Sequence, residues 1–170
     1  IYQLNAKPQY MKLTPLELYN KLTVEYDIIG EMGNIHFTLK DLTILVKSKD
    51  TVGNLIQEWL AAWLLSNDIE HSLKPNTQDF PDLNLDISDP EKGLVEVKSF
   101  DYDKAANFDV ANFMAYRRSI IEFPYRLDSD YLIFGYRMID GNIEIEPLFV
   151  DPQNQNFTLQ SNSPCINAGI

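Results

Sequence analysis

Two acidic residues and one lysine are spaced so that they could hold a metal ion and a phosphate together. Asp82 lies in residues 81–86 (PDLNLD), and Glu96 and Lys98 lie in residues 93–98 (GLVEVK). Polar and apolar residues alternate in both runs, as in half-buried β-strands. Because successive side chains of a strand point to opposite faces, Glu96 and Lys98 share one face of their strand.

The residues between the two runs predict how the strands meet. Residues 88–92 (SDPEK) have the composition of a turn. If this turn centres near Pro90 and Glu91, antiparallel pairing places Asp82 opposite Lys98 or Ser99. Glu96 then becomes a diagonal neighbour of Asp82, with about 5–8 Å between β-carbons. Two carboxylates and an ammonium group are therefore predicted to converge on one part of a sheet.

This convergence favours metal-assisted chemistry on phosphate. Asp82 and Glu96 offer the hard oxygen ligands that suit Mg²⁺, and the backbone carbonyl of Val97 lies between them and Lys98. A bound Mg²⁺ polarises a phosphoryl oxygen and lowers the pKa of its water. Lys98 could hold that water or the charge that develops on the phosphate. The residues thus predict a site for phosphodiester hydrolysis.

Other interpretations of the same residues remain open. Asp79 and Asp86 are rival first acids, although Asp79 stands at the start of the strand and Asp86 near the turn. Glu96 and Lys98 could instead form an ion pair on an exposed strand, which would add little to stability. Serine chemistry is not supported, because Ser99 has no histidine near it in the sequence and the two histidines of the chain are isolated.

The elements that must position these residues follow from hydrophobic periodicity. Thr14, Pro15 and Glu17 have the pattern of a helix start with a capping box. Apolar residues recur at helical spacing from Val52 onwards, and Trp59 is expected in the core with its neighbours. The pattern predicts helices over about 15–26, 50–65 and 105–122, and strands over 35–40, 43–47, 79–87, 93–100, 131–138 and 142–150. This order favours an α/β protein, with a mixed central β-sheet flanked by helices.

Length and composition limit the protein class. The 170 residues favour one domain, and the single cysteine, Cys165, excludes an internal disulfide framework or a thiolate zinc site. The sequence shows no signal peptide and no apolar run long enough for a membrane span, so we expect no membrane contact and a cytoplasmic location. The net charge is −11. Residues 79–109 hold nine acidic residues against three lysines, and a divalent cation would offset part of this charge.

The motif as a whole resembles a known nuclease family. Pro81-Asp82 followed by Glu96-Val97-Lys98 is similar to the motif of the PD-(D/E)XK nuclease superfamily. Residues 11–150 resemble type II restriction endonucleases, notably the bacterial group that cuts GGNNCC-type sites. The segments that carry this resemblance are MKLTPLELYNKL, DTVGNLIQEWL and PD…EVKSFD.

The resemblance implies a function and further site residues. It implies a restriction-endonuclease-like core, Mg²⁺ dependence, double-stranded DNA as substrate, 5′-phosphate and 3′-hydroxyl products, and a homodimer. In that superfamily a glutamate on the helix before the motif often joins the metal site, and Glu58 matches this place. Residues on or just before the following helix are expected to contact DNA, because arginine and asparagine side chains read base edges or hold phosphates: Lys104, Asn112, Arg117 and Arg118.

The two ends of the chain do not fit this resemblance. Residues 151–170 resemble the closing segment of secreted right-handed β-helix proteins, and residues 1–10 show no clear periodicity. We therefore expect an endonuclease-like domain over 11–150 with two extensions, both of which could be foreign to it.

Three other functions stay open. The chain could be an inactive nuclease-fold remnant or DNA-binding module in a fusion, or a junction-resolving or repair nuclease. It could also be a non-catalytic domain of a β-helix protein, although short β-helical repeats are missing.

Overall fold

A mixed six-stranded sheet forms the centre of the molecule. The computed structural model describes residues 10–74, 80–101, 103 and 113–150. Its helices are α1 (Pro15–Asn20), α2 (Val52–Ser66) and α3 (Phe113–Glu122). Its strands are β1 (Met32–Asn34), β2 (His36–Leu39), β3 (Leu42–Leu45), β4 (Ser72–Leu73), β5 (Leu83–Asn84), β6 (Leu94–Asp101), β7 (Asp130–Ile139) and β8 (Asn142–Val150). The central sheet has the order β1-β8-β7-β6-β5-β4. The predicted α/β class with a mixed sheet and flanking helices is confirmed.

Strands β6 and β7 form the parallel pair in this sheet, and the other pairs are antiparallel. Parallel neighbours need a crossover connection, and the chain between β6 and β7 includes α3. The pairing sets Glu96 beside Tyr131 and Lys98 beside Ile133. The chain between the motif strand β6 and its parallel neighbour β7 therefore passes through α3.

Helix α1 begins as the sequence predicts. The Thr14 hydroxyl accepts a hydrogen bond from the Glu17 amide at 3.2 Å, and the Glu17 carboxylate accepts one from the Thr14 amide at 2.7 Å. The helix continues as a π-helical segment, Lys21–Glu25. The predicted helix over 15–26 is thus observed as an α-helix followed by a π-helical segment. The two segments share one apolar face, with Leu18 and Leu22 buried in the core.

Helix α2 packs on β6 and carries most of the helical core. Its buried residues recur at helical spacing, and Trp59 packs partly buried against them, as expected: Val52, Ile56, Leu60, Trp63 and Leu64. The helix approaches β6 closely, because a β-carbon added at Gly53 would lie only 2.7 Å from the Ser99 hydroxyl. The lack of a side chain at Gly53 therefore sets how near α2 can come to the motif strand.

Strands β2 and β3 form a separate two-stranded hairpin. Phe37 pairs with Ile44 and Leu39 with Leu42, so these four apolar side chains share one face. All four are exposed, with relative exposures from 49% to 69%. The hairpin therefore presents an apolar face to solvent.

Several predicted boundaries differ from the observed ones. The strand predicted over 79–87 is reduced to β5, with residues 75–79 outside the described part. Strands β1 and β4 were not predicted, because Gly33 suggested a break and β4 has only two residues. The helix predicted over 105–122 is observed as α3, and residues 104–112 lie outside the described residues. In the described part, no helix is long and apolar enough to cross a membrane.

Candidate active site

The pairing of β5 with β6 differs from the predicted register. Leu83 pairs with Val95 and Asn84 with Leu94, so the ladder continued by one residue sets Asp82 level with Glu96. The prediction that Asp82 lies opposite Lys98 or Ser99 is wrong by two to three residues.

Asn84 gives the physical reason for this shift. Its side chain accepts a hydrogen bond from the Asp86 amide at 2.6 Å and donates one to the Asp89 carbonyl at 3.3 Å. The Leu85 amide donates to the Gly93 carbonyl at 2.8 Å, with Gly93 at a φ of +63°. These bonds centre the turn on Asp89, whereas composition placed its centre near Pro90 and Glu91.

The three predicted residues nevertheless meet. The Asp82 amide donates to Glu96 Oε2 at 3.2 Å. The Val97 amide donates to Asp82 Oδ2 at 2.8 Å. Lys98 Nζ lies 2.5 Å from Glu96 Oε1. Both carboxylates and the ammonium group therefore form one connected cluster at the end of β5.

Pro81 explains why the sheet opens at this point. The Leu85–Gly93 hydrogen bond shows which opposite residues of the two strands are hydrogen-bonded to each other. Such pairs recur every second residue of an antiparallel ladder, so the second pair beyond Leu85–Gly93 would join Pro81 to Val97. Proline has no N–H to donate, so the Val97 carbonyl is left without a ladder partner from that residue. The Asp82 carboxylate accepts from the Val97 amide instead. The Pro-Asp sequence thus replaces one pair of sheet hydrogen bonds by a carboxylate that lies beside a carbonyl oxygen with no partner in the β5–β6 ladder.

A residue that the sequence analysis did not name completes this cluster. Gln57 Nε2 donates to Asp82 Oδ2 at 3.3 Å and to the Val97 carbonyl at 3.2 Å. The predicted accessory acid, Glu58, is the next residue of α2 and has its side chain exposed. A signal for Gln57 was present, because it follows Gly53 by four residues and so lies on the same helix face.

Burial dominates the electrostatics of the carboxylate pair. Glu96 is only 6% exposed. Burial raises its pKa to about 7, and the negative charge of Asp82 adds to this rise, while the contact with Lys98 opposes it. Burial also raises the pKa of Asp82, against the hydrogen bond from the Val97 amide and the charge of Lys98. The cluster therefore has more negative charge than its surroundings stabilise, which is the situation that a bound cation relieves.

The donor atoms fit a small divalent cation. Two carboxylates and one carbonyl, from Asp82, Glu96 and Val97, are all hard oxygen donors. Among the residues that the structure describes, no three or more His, Cys, Asp or Glu side chains are grouped so that they could hold a metal ion. The set matches a Mg²⁺ ion that keeps several waters and suits a soft metal poorly.

Aromatic side chains form a wall on the Glu96 side of the cluster. Tyr131 lies beside Glu96 in the parallel ladder. The Phe80 ring contacts Tyr116 edge-to-face at 4.9 Å between centroids and lies 6.5 Å from the Tyr131 ring. Burial raises the pKa of Tyr131 to about 12, with smaller contributions from Tyr116 and Glu96. The Tyr131 hydroxyl, on the residue paired with Glu96, therefore stays neutral at ordinary pH.

The rival first acids are placed differently. Asp86 is paired with Lys12 at 2.9 Å and accepts hydrogen bonds from Ser88. These contacts, the Ser88 hydroxyl first, lower the pKa of Asp86 to about 2. Asp86 therefore forms an ion pair with Lys12 and is not part of the carboxylate cluster. Asp79 lies outside the described residues.

The predicted DNA contacts are described in part. Arg117 and Arg118 are exposed on α3, and Arg118 Nε donates to the Met114 carbonyl of the same helix at 3.3 Å. Lys104 and Asn112 lie outside the described residues. The same holds for 1–9 and 151–170, so the two extensions and the β-helix likeness of the tail stay predictions.

The sequence and the fold are similar to those of known restriction enzymes. The family described as NgoBV restriction endonuclease matches residues 12–161. The chain is 46% identical over 141 residues to the type II restriction enzyme NlaIV of Neisseria lactamica, covering 82% of this chain and 58% of that protein. It is 40% identical over 143 residues to the type II restriction enzyme NgoBV of Neisseria gonorrhoeae, covering 82% and 80%.

A solved structure gives the same result. The NlaIV restriction endonuclease superposes with a TM-score of 0.77 at 44% identity, over 85% of this chain and 60% of the other. The chain thus spans less than two thirds of the length of the NlaIV relative. The family match over residues 12–161 includes Asp82, Glu96 and Lys98.

Proposed function

The chain belongs to the NgoBV restriction endonuclease family, and from this premise we propose that it is a type II restriction endonuclease. It hydrolyses phosphodiester bonds of double-stranded DNA at a short specific site in the bacterial cytoplasm, with Mg²⁺ as cofactor. The observation that carries this proposal is the convergence of Asp82, Glu96 and Lys98 at the end of β5.

The residues of the cluster divide the work of hydrolysis. Asp82, Glu96 and the Val97 carbonyl would hold the cation, which when bound supplies positive charge and a more acidic water. Lys98 orients the attacking water and stabilises the charge that develops on the phosphate. Its 2.5 Å contact with Glu96 holds the ammonium group at the site before DNA arrives. The products are a 5′-phosphate and a 3′-hydroxyl.

Helix α3 is the proposed contact with DNA. Its exposed Arg117 and Arg118 would bind phosphates or guanine edges, together with Lys104 and Asn112. The helix is also tied to the active-site segment, because the Ser119 hydroxyl donates to the Phe80 carbonyl at 3.3 Å. Binding of DNA along α3 would therefore place the backbone near the residue that precedes Pro81-Asp82.

A homodimer is the proposed assembly. Two copies related by a two-fold axis would bring two active sites to the two DNA strands, and such an interface uses the same patch on both copies. The apolar face of the β2–β3 hairpin supports this, because it is exposed and uncharged on a chain of net charge −11. Two acidic chains approach with least repulsion through an uncharged patch.

Plasmid cleavage tests the function. The protein is incubated with mixed-sequence plasmid DNA in Mg²⁺ and in EDTA, beside Glu96→Ala and Asp86→Asn proteins. We expect discrete Mg²⁺-dependent fragments from the wild type and from Asp86→Asn, and none from Glu96→Ala. Intact plasmid from a folded wild-type protein, or equal cleavage by Glu96→Ala, would contradict the proposal.

A further inference from the structure

The amide of Gln57 occupies the place at which a third acidic ligand could stand. Its Nε2 atom lies 3.3 Å from Asp82 Oδ2 and 3.2 Å from the Val97 carbonyl oxygen. Both oxygens belong to the proposed cation-binding set, so a neutral N–H donor already faces them from α2. A carboxylate at the same position would instead offer further oxygen ligands.

We propose that Gln57 is a positioning residue that restricts each active site to a single divalent cation. This inference rests on the proposed function and deepens it, because it fixes the metal stoichiometry of that site. Gln57 acts through Asp82, by holding Oδ2 toward β6 and by presenting no negative charge of its own.

The number of available carboxylates supports one cation. Sites with two metal ions hold them about 3.5–4 Å apart, and each ion needs anionic ligands. In the described part of the chain, Asp82 and Glu96 are the acidic residues with hydrogen bonds in this cluster. Glu58, one position further along α2, is exposed and is not one of them.

The charge of the cluster leads to the same conclusion. With both carboxylates ionised, Asp82, Glu96 and Lys98 together carry a formal charge of minus one. One divalent cation brings the site to plus one, which a phosphate of the DNA backbone then neutralises. A second cation would leave two uncompensated positive charges in a site whose Glu96 is only 6% exposed, where excess charge is costly.

A change of Gln57 to glutamate should therefore create room for a second ion. It keeps the length of the side chain and adds one negative charge next to Asp82. The exchange Glu58→Gln on the neighbouring residue is the matched control, since it changes charge on the same helix without touching the cluster.

Metal titration without DNA tests the stoichiometry. Isothermal titration calorimetry with Mn²⁺ on the full chain should give one site per wild-type chain and one for Glu58→Gln. It should give two for Gln57→Glu and none for Glu96→Gln. Electron paramagnetic resonance of bound Mn²⁺ adds a readout that needs no variant, because two ions in one site would show spin coupling and a single ion would not.

The results separate this inference from the proposed function. Two Mn²⁺ per wild-type chain, a spin-coupled signal, or loss of binding in Glu58→Gln would overturn the inference, and cleavage activity would be unaffected by that outcome. A single site remaining in folded Gln57→Glu would overturn it as well. One Mn²⁺ per chain without any DNA cleavage would support the inference and contradict the proposed function.

Discussion

Replacement of Glu96 by glutamine is expected to stabilise the metal-free protein at pH 8 while abolishing cleavage. Burial and the charge of Asp82 raise the pKa of Glu96 from its ordinary 4.5 to about 7. A raised carboxyl pKa means that the folded state binds more protons than the unfolded state. The free energy of unfolding therefore falls as the pH rises from 4.5 to 7. At about 1.4 kcal/mol per pKa unit, the loss at pH 8 is on the order of 3 kcal/mol.

Glutamine removes this loss and keeps part of the contacts. Its side-chain oxygen can still accept from the Asp82 amide, whereas the 2.5 Å contact with Lys98 is lost. The pKa of about 7 already includes the opposing effect of the Lys98 contact, so the loss of that contact is not subtracted a second time. The expected gain at pH 8 is thus on the order of 3 kcal/mol.

Urea unfolding in EDTA at pH 5 and pH 8 measures this effect. Glu96→Gln should raise the free energy of unfolding at pH 8 and change it little at pH 5, because Glu96 in the folded protein is mostly protonated at pH 5. A variant that is no more stable than the wild type at pH 8, or that gains equally at both pH values, would refute the reasoning.

Three further predictions concern the surroundings of the site. Asp86→Asn should lower the free energy of unfolding at pH 5 and pH 8, because the lowered pKa of Asp86 favours the folded state only while its carboxylate is ionised. The variant should also lack the loss of stability that acid causes between about pH 4 and pH 2. Acid titration of unfolding checks this, and unchanged stability at pH 7 would contradict it. Gly53→Ala should push α2 away from β6 at Ser99 and reduce the rate of DNA cleavage. Adding Ser99→Gly to the same chain should restore that rate, whereas a wild-type cleavage rate in Gly53→Ala alone would argue against the close approach. Leu60→Ala should cost about 2–5 kcal/mol in urea unfolding, and a loss below 1 kcal/mol would show that Leu60 is not in the core.

The proposed catalytic carboxylates could be found from the sequence because their chemistry is local. Alternation along two short runs placed Glu96 and Lys98 on one face, and that placement does not depend on the partner strand. The register, in contrast, does depend on how the partner strand β5 pairs with β6. Composition alone could not show that Asn84 would bond to Asp89 and shift the turn, so the position of Asp82 relative to Lys98 was predicted wrongly although the cluster formed.

The contribution of α2 was harder to predict. Helical periodicity defined its buried face, but the choice between neighbouring residues at the edge of that face depends on the rotation of the helix over the sheet. That rotation depends on contacts between distant residues, such as the close approach of Gly53 to Ser99, 46 positions along the chain. Gln57 rather than Glu58 therefore reaches Asp82, and only the tertiary structure shows it.

The role of Lys98 gives the most direct test of the account. Once the plasmid fragments define the cleaved sequence, single-turnover cleavage of a duplex with that site is compared for wild type and Lys98→Ala, with DNA affinity measured in Ca²⁺. We expect the cleavage rate to fall about 100-fold or more while affinity changes only several-fold, because Lys98 acts on the charge of the transition state. Cleavage by Lys98→Ala at the wild-type rate would contradict the claim that this cluster performs the hydrolysis.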